Sequence, residues 1–232
     1  MATARRRHRR VGVGDDLGGL VGHGGSRAIG TRFTLPDQAA ALGVLFDGHG
    51  WEQVVLVGRG WGAAVAADFA RRHPDRVSRL ILLDPPVYTD AGEAGRRLRS
   101  SRLGRATLTS PGLANFGCGL MCLTRAPLGR LARVGRGGVC GAEAAAAVQH
   151  TYPSLRDGFD ALVNANPLLS VLRDPVHPVT VAFAAGAAVP AGDLHALPIS
   201  ADVNVVAVSG TTDLLAGHTD VVARLVAERS RN

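Results

Sequence analysis

The chain has 232 residues, 46% of them apolar, and a formal net charge of +7 whose 26 basic side chains are all arginine. The absence of lysine excludes a Walker P-loop and any Schiff-base lysine, and no run reaches the roughly 18 uncharged apolar residues of a membrane-spanning helix. At this length one domain with an insertion is the expected plan, its core filled mainly by Ala, Val, Leu and Gly because only ten residues are aromatic.

Residues 1–10 carry Arg5, Arg6, Arg7, Arg9 and Arg10 and read as a basic disordered tail. No apolar stretch follows that charge, which argues against a signal peptide. Val11–Gly14 is a weak strand. The run from Val11 to Gly18 approaches a dinucleotide fingerprint, but its last glycine is misplaced and Asp15 and Asp16 stand where a pyrophosphate would lie, so no cofactor is expected. Gly22-His23-Gly24-Gly25-Ser26 forms a loop, and Thr34-Leu35-Pro36-Asp37-Gln38 opens a helix. Val54–Val57 is a β-branched run suited to a buried parallel strand. Gly58, Gly60 and Gly62 then mark a sharp turn into a helix over Ala63–His73, which Pro74 ends. Arg79–Leu83 is the next strand, closed by Asp84-Pro85-Pro86.

Residues 87–198 read as an insertion. Gly135, Gly137, Gly138 and Gly141 divide it; Ala142–His150 and Arg156–Asn164 are short helices, and Val179–Phe183 is a short strand. Pro167, Pro175, Pro178, Pro190 and Pro198 make its later half loop-rich. Residues 94–142 hold nine arginines and no acid. Val203–Val208 is a strand, Gly210-Thr211-Thr212-Asp213 a turn, and a helix runs from His218 to Asn232. Three cysteines, Cys118, Cys122 and Cys140, are an odd number suited to reduced thiols in a cytoplasmic protein. None has a partner at ligand spacing, so no metal is expected. The plan is therefore a tail (1–10), a first core part (11–86), a cap-like insertion (87–198) and a last strand and helix (199–232).

The order from Leu45 to Pro86 resembles an α/β-hydrolase core, and residues 11–86 and 199–232 carry the likeness. Gly22–Ser26 is similar to that family's G-H-G-x-S loop, or is itself an oxyanion loop of the H-G-G type. Gly58-Arg59-Gly60-Trp61-Gly62 is similar to its nucleophile elbow, G-x-S-x-G. Trp61 points to the epoxide-hydrolase and haloalkane-dehalogenase branches, whose elbow reads G-H-D-W-G, or to serine-dependent members reading G-H-S-W-G. Here Arg59 replaces His and Gly60 replaces the Asp or Ser. The resemblance implies a mostly parallel sheet flanked by helices. With only 21 residues before Gly22, it also implies a start near the family's fourth strand.

In that family position 60 would attack the substrate and a His–Asp pair would activate water. The resemblance assigns the pair to Asp213 and His218, with Asp84 as an alternative acid, and Trp61 and Arg59 to the oxyanion and substrate. Asp213 also suits a plain turn, and His218 a plain helix start. Because glycine has no atom with which to attack, the expected protein resembles ester, epoxide or carbon–halogen hydrolases and is inactive. The alternatives are a non-catalytic protein binding a small apolar ligand or an anionic partner, a decayed hydrolase fragment, and a glycine-rich turn in another α/β fold. Sparse aromatics argue against nucleic acid as the partner.

Overall fold

The computed structural model describes residues 34–90, 92–93, 96, 112, 157, 160–161, 164–184, 197–208, 214 and 219–228. In chain order these hold α1 (Leu35–Gly48), β1 (Val54–Arg59), α2 (Trp61–Arg72), a 3₁₀ turn (Pro74–Arg76), β2 (Val77–Leu83), α3 (Pro167–Arg173), β3 (Val179–Ala184), β4 (Val203–Val208) and α4 (Thr219–Ala227). The four strands form one parallel sheet in the spatial order β1-β2-β3-β4. Helices flank this sheet, as the sequence implies. Val11–Gly14, the 22–26 loop, Cys118, Cys122, Cys140 and Ala142–His150 lie outside the described residues. Asp157, Asp160, Ala161 and Asn164 are helical, consistent with the helix expected over Arg156–Asn164.

The local sequence accounts for each element. Thr34 and Asp37 close a reciprocal capping box at the start of α1, with Pro36 in the first turn where its missing N–H costs nothing. α2 is buried without interruption from Ala63 to Ala70, because its small side chains let it lie against the sheet on one side and α1 and α3 on the other. Pro74 stops α2. Arg76 then staples the turn to the start of β1, donating to the carbonyls of Trp51 (2.9 Å) and Glu52 (3.0 Å) and pairing with Asp47.

Strand alternation sorts the core into two faces. Leu56, Leu80, Leu82, Val181 and Phe183 meet α1, α2 and α3. Ile81, Leu83, Ala182 and Ala184 meet Leu214 and the apolar stripe of α4. On that second face Val55 and Val57 of β1 stay 38% and 37% exposed.

Several expectations need correction. α3 begins with Pro167, so the segment from 167 onward is not loop-rich at its start; proline is well tolerated at a first helical position. The short strand expected at Val179–Phe183 forms and runs one residue further, Val179–Ala184, and it is held inside the sheet between β2 and β4 rather than set apart from it. β2 starts at Val77 rather than Arg79, since Val77 pairs with Val54 across a bulge. α4 ends at Ala227 rather than running to Asn232, and the Arg79 side chain takes up its last carbonyls.

Candidate functional site

The turn between β1 and α2 has the shape its glycines imply. Gly60 sits at φ 52°, ψ −120°, a conformation that costs a residue bearing a Cβ about 1–3 kcal/mol. Its N–H donates to the carbonyl of Leu83 (2.9 Å), and its carbonyl accepts from Ala63 (3.0 Å), locking the turn between the end of β2 and the first turn of α2. The three glycines are not equivalent. A Cβ on Gly58 would lie 2.4 Å from the Gly62 carbonyl oxygen and 2.7 Å from the Ala63 Cα, so only glycine fits. A Cβ on Gly60 or Gly62 would meet nothing within 4 Å. Position 60 is therefore open for a side chain, which would stand above the C-terminal edge of the sheet. This is the edge where open α/β sheets bind their ligands.

Other candidates lie around it. Trp61 is the first residue of α2, half-buried and packed on the main core, and α2 opens with no side-chain cap, leaving its first-turn N–H groups and positive dipole end at this edge. Arg59 ends β1 in register with Leu83. Asp84 follows Leu83 directly and adopts φ 44°, a left-handed conformation tolerated by aspartate. Its N–H donates to the Ala182 carbonyl (2.8 Å), and its carboxylate accepts from the Ala184 N–H (2.9 Å). Asp84 thus reaches the elbow edge, but one carboxylate oxygen is committed to tying β2 to β3.

Asp213 and His218 lie outside the described residues. Their chain neighbours do not: Leu214 is fully buried against the second face, and Thr219 begins α4. Among the described residues no group of three or more His, Cys, Asp or Glu side chains could hold a metal, and no helix is long and apolar enough to cross a membrane. A surface groove of about 690 Å³, lined by Asp47, Trp51, Gln53, Asp75 and Arg76 among others, opens at the start of β1, the opposite end of the sheet from the elbow. Arg76 is consumed there by the staple, so the groove adds nothing to the site.

Two residues that hold this architecture were not singled out from the sequence. Asn166, at φ 39°, caps α3 by accepting from Leu169 N–H (3.2 Å) and donates to the Tyr88 carbonyl (2.9 Å), joining the segment after β2 to the start of α3. Arg79 is buried within β2. Its signal was an arginine inside an otherwise apolar strand.

Residues 19–105 match the family described as the alpha/beta hydrolase fold. An 80-residue stretch is 41% identical to Lipase LipV of Mycobacterium tuberculosis, covering 34% of this chain and 29% of the lipase. The chain thus aligns with under a third of that relative's length. A thermophilic esterase from Thermogutta terrifontis superposes with a TM-score of 0.61 at 19% identity, over 90% of this chain and 76% of the esterase. A haloalkane dehalogenase from Agrobacterium tumefaciens does so with the same score and identity, over 90% and 77%. The matched segment holds α1, β1, the strand–helix turn, α2 and β2, and the parallel sheet flanked by helices is an α/β-hydrolase-like fold.

Proposed function

We propose that this protein keeps the hydrolase scaffold but not nucleophilic turnover, and binds a small apolar molecule at the elbow edge. The observation that carries the reading is Gly60: the turn that presents a nucleophile in this superfamily is formed, and its central residue has no side chain. In a working relative, a side chain at position 60 would attack an ester carbonyl, an epoxide carbon or a carbon–halogen carbon. The resulting acyl- or alkyl-enzyme would be released by water, activated by His218 paired with Asp213 or Asp84. The Trp61 N–H would donate to the developing oxyanion of an ester, and the Trp61 side chain would face a leaving halide. Loss of a triad nucleophile costs about 10⁶ in turnover, which leaves binding as the expected function. Reduced cysteines suit a cytoplasmic setting.

The test is hydrolysis of activated esters, epoxides and haloalkanes by the purified chain, compared with His218→Ala. No difference between the two is expected. Turnover that disappears in His218→Ala would overturn the reading, because it would require a nucleophile from elsewhere. Gly60→Ser and Gly60→Asp should fold, at a cost of about 1–3 kcal/mol from the positive φ. They should fall short of full activity.

A further inference from the structure

We draw no further inference here: the strongest candidate, the surface groove at the start of β1 where Asp47, Glu52 and Asp75 lie around Trp51, is a cluster of acids whose Arg76 is held by Asp47 and by backbone carbonyls, and nothing in the structure shows what would fill it.

Discussion

On one face of the sheet, α1, α2 and α3 lay Phe46, Phe69 and the unbroken buried run Ala63–Ala70 over Leu80, Leu82, Val181 and Phe183. On the other face, among the described residues, Leu214 and α4 meet Ile81, Leu83, Ala182 and Ala184, and Val55 and Val57 stay partly exposed. The elbow belongs to the first face, because the residue after Gly60 begins α2. A sharp strand–helix turn that keeps its shape with glycine at its centre is understandable on these terms. The turn is set by backbone and by the packing of α2, and neither needs a side chain at position 60.

The contrast can be broken most forcefully at Phe69. Its ring is fully buried and meets Phe46 edge-on at 5.1 Å between centroids, joining α1 to α2. Phe69→Ala should cost about 3–5 kcal/mol in urea or thermal unfolding. Gly58→Ala comes next, at about 3 kcal/mol, because the added Cβ meets backbone of the α2 first turn and no rotamer relieves it. Here the near-ultraviolet signal of Trp61 should change as well, since α2 must shift. Leu225→Ala on the other face should cost only about 2 kcal/mol, at the low end for a buried leucine, because the cavity opens beside partly exposed valines that can close over it. Equal losses at Phe69 and Leu225 would show the two faces to be equally cohesive and would remove the contrast.

The better-covered face was also the more legible one. Val54–Val57, the alternate glycines, the helix stopped at His73-Pro74 and the strand after it all follow from local rules, and they form as one contiguous unit. Val203–Val208 was equally clear, for the same reason. What escaped reading was non-local or hidden by punctuation. Five prolines made the stretch after residue 166 look like loop, yet Pro167 occupies a first helical position and Pro178 immediately precedes β3, two places where a missing N–H does little harm. The fork of Arg79 on carbonyls nearly 150 residues away has no local signature at all. That Gly60, Trp61 and Asp84 lie at one edge of the sheet could be guessed by resemblance. That Asp84 would be drawn into a backbone bond with Ala184 could not, because it depends on β3 lying next to β2.

The smallest expected effect sharpens the comparison from the outer edge of the thicker face. The Thr34 hydroxyl donates to the Asp37 carboxylate at 2.6 Å and the Thr34 N–H at 2.9 Å, and in that order they hold the Asp37 carboxyl below its ordinary value. A carboxyl lowered in the folded state contributes stability that is present above its unfolded value and is lost as pH falls through the lowered one. Thr34→Ala removes both the cap and the hydroxyl donor and should cost about 1 kcal/mol at neutral pH. The penalty should shrink in acid, as Asp37 protonates in both proteins. Asp37→Asn should flatten the same acid limb by a smaller amount, since the group is exposed and screened. Because α1 packs against α2, these changes should leave Trp61 undisturbed while Trp51, whose ring lies 5.8 Å from that of Phe46 at the far end of α1, responds first. A Trp61 signal that moves with the cap would mean that the thick face is one cooperative block reaching from Thr34 to Gly60, and that the elbow's rigidity is set by the whole of it rather than by its own turn.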